Sequence, residues 1–340
     1  MKRVLVTGGA GYIGSVLVRK LLKKDYNVTI LDRLVFGMDS LNEIADNPNL
    51  NIIVGDIRHI EDIFKATKNI DTVIHLAALV GDKACELNED ITVQINLEST
   101  RLLLKICELQ NVKKVIFAST ASVYGFSDKV LGEDSQELKP CSLYAKTKLL
   151  SENEILKNNN MITTVLRLST VHGLSPRMRF DLVVNILTAK ACVDKEIKIF
   201  GGEQWRPFIH VDDVAMAFIK CLETKDHIID KQIFNVGSNT QNFQITNVGD
   251  KVKELIPGTK ILTVKEEIDK RNYRVNFNKI SKLLDFNLTK TINDTILEIQ
   301  QSIENKTIIN YKDDKYYNGL YKNYCNPNIY SMLLDQGGLF

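Results

Sequence analysis

The sequence predicts an α/β protein built on a doubly wound parallel sheet, with a smaller α+β lobe interleaved into it. Three observations carry this. Short runs of branched apolar residues recur at 3–7, 27–31, 51–54, 72–77, 114–119 and 163–168, and continuous apolar runs suit parallel strands covered on both faces. Stretches with helical spacing lie between most of them, at 15–24, 91–110 and 144–156, which is the alternation of strand and crossover helix. The first strand runs straight into a glycine-rich turn, "TGGAGYIG" at 7–14.

Taken in order, each strand delivers a polar or glycine-rich segment at its end. After "RVLVT", Gly8, Gly11 and Gly14 form a G-x-x-G-x-x-G pattern, with Tyr12 and Ile13 inside it. Glycines at this spacing allow a tight turn and let the backbone approach a pyrophosphate at a helix N-terminus, as in a Rossmann-like dinucleotide site. The second strand closes on Asp32, 18 residues after Gly14. A carboxylate there accepts from both ribose hydroxyls and repels a 2′-phosphate, which favours NAD over NADP. Arg33 is the neighbour able to answer such a phosphate. The third strand ends in "GDIR" at 55–58, where Asp56, beside Ile57, is either an acceptor for the adenine amino group or a helix N-cap. The fourth leads to "HLAA" at 75–78. The fifth ends in "FASTASVYG" at 117–125, with the hydroxyls of Ser119, Thr120 and Ser122. A helix opening after Pro140 then carries "YAKTK", and "TTVLRL" follows as the sixth strand.

Beyond about residue 170 the alternation breaks down. The expected organisation is a dinucleotide-binding domain over 1–174, to which 208–236 returns, and a substrate lobe from 175–207 and 237–304. The extension over 305–340 differs again, with six of the eleven tyrosines. Such aromatic density suggests burial against another surface, the second lobe or a homodimer partner, with a frayed end as the alternative.

The chain has 340 residues and balances 44 basic against 42 acidic side chains, a net charge of +2. That gives no electrostatic reason to expect nucleic acid or a membrane surface as partner. Six scattered cysteines with no CxxC pair argue against a zinc site or a disulfide framework and suit a reducing cytoplasm. The first apolar run is cut by glycines after four residues, too short for a signal peptide or a membrane span.

Tyr144 and Lys148 are four residues apart, so on a helix they share a face. A free phenol, with a pKa of about 10, is a poor base at neutral pH. A neighbouring ammonium stabilises the phenolate and lowers that value. The pair then becomes an acid–base group able to take a proton from an alcohol, and a hydroxyl at Thr120 can orient that alcohol.

The ordered set "TGGAGYIG", Asp32, "GDIR", "HLAA", "FASTASVYG", "YAKTK", "RPFIHVDDVA" (206–215) and "NVGS" (235–238) resembles the extended short-chain dehydrogenase/reductase family. The likeness is to its nucleotide-sugar epimerase and dehydratase branch and spans residues 1 to about 300. It implies Tyr144 as base, Lys148 as its partner and a ribose contact, and Thr120 as the assisting hydroxyl. It implies that Leu76, Ala77 and Ala78 wall the NAD, and that Arg206 and Arg271 grip the substrate diphosphate, with Asn185 a further phosphate contact. Thr170 stands where relatives place a substrate-touching Asn. His75 and His210 are expected to be packed structural residues. The resemblance further implies a homodimer through the helices around 93–109 and 144–157.

Departures from the pattern narrow the chemistry. Dehydratases of this branch carry Asp-Glu after the catalytic Thr, and the decarboxylases keep a Glu there; here Ala121 and Ser122 offer no carboxylate. Arg177 and Arg179 lie near the substrate side. The expectation is an NAD-dependent nucleotide-sugar epimerase working through a 4-keto intermediate. Alternatives are a 4-dehydrogenase or reductase that releases the keto sugar, and a non-catalytic NAD-binding sensor.

Overall fold

The computed structural model describes residues 2–136, 138–265 and 271–318. Fourteen strands are described: β1 Arg3–Thr7, β2 Asn27–Asp32, β3 Leu50–Val54, β4 Thr72–His75, β5 Lys114–Thr120, β6 Phe126–Leu131, β7 Ile162–Leu168, β8 Thr170–His172, β9 Glu196–Phe200, β10 Trp205–His210, β11 Gln232–Val236, β12 Asn242–Gln244, β13 Lys260–Val264 and β14 Asn272–Val275. Seven of them make one sheet in the order β11-β7-β5-β4-β1-β2-β3. Every pairing in it is parallel. The order reverses direction between β1 and β4, and that switch point is where a doubly wound sheet opens a crevice at its carboxyl edge.

Strand alternation explains why both faces are apolar. Val4 and Val6 of β1 pack on one side with the helices Tyr12–Leu22 and Val211–Glu223, whereas Leu5 packs on the other with the helices Ile60–Thr67 and Ser99–Leu109. All of these strand residues are fully buried. The second lobe has its own core, in which Val184 and Leu187 meet Ile197, Phe208, Val248 and Ile296.

The segment from 208 packs on the first lobe through the helix Val211–Glu223 and joins the large sheet at β11; its opening strand, β10, pairs with β8 and β12 in a three-stranded sheet. Within 1–174, β6 leaves the first lobe to pair with β14 across 140-odd residues of sequence. Both pairings are long-range, and local pattern carries no information about them.

The described part of the extension packs on the second lobe. Phe180 meets the rings of Tyr311 and Tyr316 edge-on at 5.8 and 5.3 Å. Its backbone N–H donates to the Tyr316 carbonyl at 3.0 Å. Tyr321, Tyr324 and Tyr330 lie outside the described residues.

Candidate active site

One cleft of about 1220 Å³ runs along the carboxyl edge of the large sheet and under the second lobe. This exceeds the roughly 300–1,000 Å³ of a pocket for one drug-sized ligand and leaves room for two. Of the residues expected at a site, Gly8, Gly11, Tyr12, Ile13, Gly14, Asp32, Asp56, Ile57, Leu76, Ala77, Ala78, Thr120, Tyr144, Lys148, Thr170, Arg206 and Arg271 all line it. Asn185 does not.

The glycine turn fits a dinucleotide. Gly8 has φ +75°, and a Cβ there would lie 2.9 Å from the Ala77 backbone. A Cβ on Gly14 would lie 2.2 Å from the Gly8 carbonyl oxygen. The helix Tyr12–Leu22 has Gly11 at its cap and no side-chain cap hydrogen bond, so its N-terminus, which lines the cleft, suits an anion. Asp32 is held by the N–H groups of Ala10 at 2.9 Å and Leu34 at 2.8 Å. Burial raises its pKa. Arg33 does not face outward to a phosphate: its Nη1 lies 3.6 Å from the Asp56 carboxylate. Asp56 is also forked by Arg58 at 2.6–3.1 Å. Burial opposes its charge, but these guanidiniums hold its pKa below the usual carboxylate range. It does not cap the next helix, where His59 is the cap residue.

The helix Leu143–Lys157 starts at Ser142, whose hydroxyl accepts from the Ala145 N–H at 3.3 Å. Tyr144, Lys148 and Glu152 then follow at four-residue spacing and read onto the end of β5. Tyr144 lies beside Thr120. Lys148 donates to the Ala118 carbonyl at 2.8 Å, and Glu152 accepts from the Ser119 hydroxyl. The Thr120 oxygen accepts from the Ser122 N–H at 3.1 Å, leaving its own proton to donate into the cleft.

The charge state of the pair differs from the expectation. Burial pushes the Tyr144 phenol up, outweighing the hydrogen bond from Thr120, which pulls it down. Burial also lowers Lys148 to about 8. In this form of the protein the Lys148 ammonium serves the Ala118 carbonyl, and desolvation dominates both groups.

One further expectation, Asn185, needs correcting. Asn185 is fully buried. It accepts from the Gly173 N–H at 3.1 Å and donates to the Tyr12 hydroxyl at 3.2 Å and the Arg179 carbonyl at 2.9 Å. Its amide is spent on tying the second lobe to the glycine turn. Ser119 faces away from the substrate side into a buried network: Glu152 also takes a bidentate Arg167 at 2.7–3.2 Å, and Arg167 reaches the Tyr124 hydroxyl at 3.0 Å.

The sugar side is lined by charged side chains. Arg271 pairs with Asp82 at 3.1 Å, and Arg179 forks Asp181 at 2.6 and 2.9 Å. Arg206 donates to the Trp205 and Arg271 carbonyls and lies 5.3 Å over the Tyr273 ring. His75 is buried between Thr7 at 2.8 Å and Thr100 at 3.1 Å, and burial lowers it to about 3. His210 is buried and bonded to Glu298 at 3.0 Å. Sequence reasoning missed Asp82, Phe36, Tyr317 and Asn318, which also line the cleft. None sits in a recognisable motif. Among the described residues no cluster of His, Cys, Asp and Glu could hold a metal ion, and no helix is long and apolar enough to cross a membrane.

Comparison with known proteins gives a consistent picture. Residues 4–237 match the NAD dependent epimerase/dehydratase family. The UDP-glucuronate 4-epimerase of Thermodesulfobacterium geofontis is 32% identical over 291 residues, 82% of this chain and 88% of its own. The UDP-N-acetyl-alpha-D-glucosaminuronate decarboxylase of Bacillus cytotoxicus is 31% identical over 265 residues, 75% of this chain and 80% of its own. The UDP-glucuronic acid 4-epimerase from Bacillus cereus, solved with UDP-glucuronic acid and NAD, aligns with a TM-score of 0.78 at 28% identity, covering 89% of this chain and 99% of that one. The UDP-glucose 4-epimerase from Thermotoga maritima, solved with UDP-glucose, aligns at 0.80 and 26% identity, covering 90% and 99%.

Proposed function

The chain belongs to the NAD-dependent epimerase/dehydratase family, and we propose that it interconverts nucleotide-diphosphate sugars differing in configuration at C4. It is an NAD-dependent enzyme of the extended short-chain dehydrogenase/reductase class. Relatives of equal similarity carry different activities, so identity alone does not choose among reactions. The observation that carries the choice is local. Thr120, Tyr144 and Lys148 meet at the floor of the cleft, and Ala121 and Ser122, which follow Thr120, supply no acid to eliminate water.

Bound NAD supplies the hydride acceptor and a positive charge that favours the phenolate. The glycine turn holds its diphosphate, Asp32 its adenosine ribose, and Leu76–Ala78 its flank. Lys148 holds the nicotinamide ribose from the position it has beside Ala118. Arg206 and Arg271 grip the sugar-nucleotide diphosphate, and Thr170 faces the sugar. Tyr144 would take the 4-hydroxyl proton, with Thr120 bridging, as the C4 hydride is lost to the acceptor that NAD supplies; the two losses together would leave a 4-keto sugar. The sugar turns over between the lobes, and Tyr144 returns the proton once C4 has been reduced on the other face.

The partner would be a second copy of this chain, docked through the helices Ser99–Leu109 and Leu143–Lys157; Leu109 and Leu150 stand exposed on them. The place would be the cytoplasm, in carbohydrate biosynthesis. A panel of nucleotide sugars, incubated with pure enzyme and no added cofactor, tests the function. C4-epimeric product without net nicotinamide reduction is expected. Accumulated reduced nicotinamide with a keto sugar would instead make it a dehydrogenase, and no turnover on any sugar would leave an NAD-binding sensor.

A further inference from the structure

Among the described residues, the C-terminal extension reaches the cleft at Tyr317 and Asn318. Asn318 is buried and bridges the two lobes. Its amide donates to the Val80 carbonyl, in the loop after β4, at 3.0 Å. Its oxygen accepts from Arg177, on the second lobe, at 2.9 Å. Arg177 in turn lies 3.7 Å from the centre of the Phe36 ring, in the loop after β2. Phe36, Arg177, Asn318 and Val80 therefore form an arch.

The position of the arch fixes what lies under it. Gly8 abuts Ala77, three residues before Val80. Arg177 is near enough to Asp32 to favour its charged form. Arg177 lines the same cleft as Gly11 and Ile13 at the N-terminus of the helix Tyr12–Leu22, where a dinucleotide places its diphosphate. A guanidinium in that cleft can pair with such an anion, and guanidinium–phosphate bonds are among the stronger charge-assisted contacts.

We propose that Arg177 is a further NAD-binding residue that contacts the cofactor diphosphate, and that Asn318 is its positioning residue, so that the C-terminal extension sets the rate at which NAD leaves. The rings of Tyr311 and Tyr316 anchor the extension on Phe180, and Asn318 carries that anchorage to the arginine. An enzyme that takes a hydride and gives it back gains from holding its cofactor between the two half-reactions. The proposal rests on the NAD reading above.

The test loads full-length protein with NAD, dilutes it into excess NAD glycohydrolase, and follows NAD release by intrinsic fluorescence. Asn318→Ala releases NAD about tenfold faster than wild type, the loss of one hydrogen bond to a charged group. Arg177→Met releases it at least as fast, and the double variant is no faster than Arg177→Met alone, because both act through one contact. Asn318 lies beyond Tyr311, the last buried aromatic among the described residues of the extension, so Asn318→Ala should melt with wild type when free of NAD. If it melts lower, the NAD-induced rise in melting temperature, taken against each variant's own NAD-free value, decides: it shrinks in both variants. Variants with the wild-type release rate and rise overturn the arch and leave the cofactor reading intact. A wild type with no NAD-induced rise removes that reading and the arch together.

Discussion

At the cofactor end of the cleft the wall is main chain: a glycine turn, a helix N-terminus and the short segments that follow strands β1 to β4. At the sugar end it is long side chains, with Arg271, Arg179 and Arg206 held by Asp82, Asp181 and carbonyl oxygens. Thr120, Tyr144 and Lys148, proposed above as the catalytic residues, stand at the seam, on β5 and the helix Leu143–Lys157. Main-chain recognition depends on glycine spacing and strand order, which change little with the ligand. Side-chain recognition depends on which charge is paired with which, so the identity of the sugar is written there.

The largest expected effect lies at the seam. Tyr144→Phe keeps the ring and should lower turnover by roughly 10²–10⁴-fold, the usual contribution of a positioned acid–base group. NAD affinity should stay near wild type, because Lys148 is untouched. Near-normal turnover in this variant would break the assignment of the base.

At the cofactor end, Gly14→Ala puts a methyl group 2.2 Å from the Gly8 carbonyl oxygen. Overpacking of this kind costs about 1–3 kcal/mol. NAD titration should therefore show a tenfold or greater loss, with melting temperature in the absence of NAD reduced as well. Unchanged affinity would mean that the turn does not hold the diphosphate.

At the sugar end, Arg271→Met should raise KM about tenfold, as expected for losing one hydrogen bond from a charged donor, and leave NAD binding unchanged. A variant that loses NAD instead would erase the division between the two ends.

The smallest effect is on stability. Lys148 has its folded pKa lowered from 10.5 to about 8. Between those values the unfolded chain binds more protons than the folded one, so NAD-free stability gains with rising pH. Between pH 8 and 10 the NAD-free wild type should gain a few degrees of melting temperature relative to Lys148→Met. Parallel profiles for the two proteins would place the ammonium in water rather than in the protein.

The same division governs what could be read from the sequence. The strand runs and their ends were legible, because alternation and glycine spacing are local signals; they led to Gly8, Asp32, Thr120, Tyr144 and Lys148, which the fold gathers into one cleft. The pairing of β6 with β14 was not, because nothing local specifies it. Asn185 looked like a phosphate ligand by residue type, yet the helix Val183–Val193 turns it inward to the Tyr12 hydroxyl. Ser119 stands next to Thr120 in the same hydroxyl run, yet the strand pleat sends it to Glu152. The shared face of Tyr144 and Lys148 was readable from spacing, but their ionisation was not, because burial is the largest influence on both. Asn318 had no local signal beyond a tyrosine-rich neighbourhood.

The central claim is that one hydride leaves C4 and returns to C4. A UDP-sugar deuterated at C4, incubated with enzyme as purified, tests this directly by mass spectrometry and proton NMR of the product. The account predicts a C4-epimerised product that keeps its deuterium at C4 through many turnovers, with no exchange into water. Product that has lost the deuterium, or a deuterated reduced nicotinamide released beside a keto sugar, would contradict it.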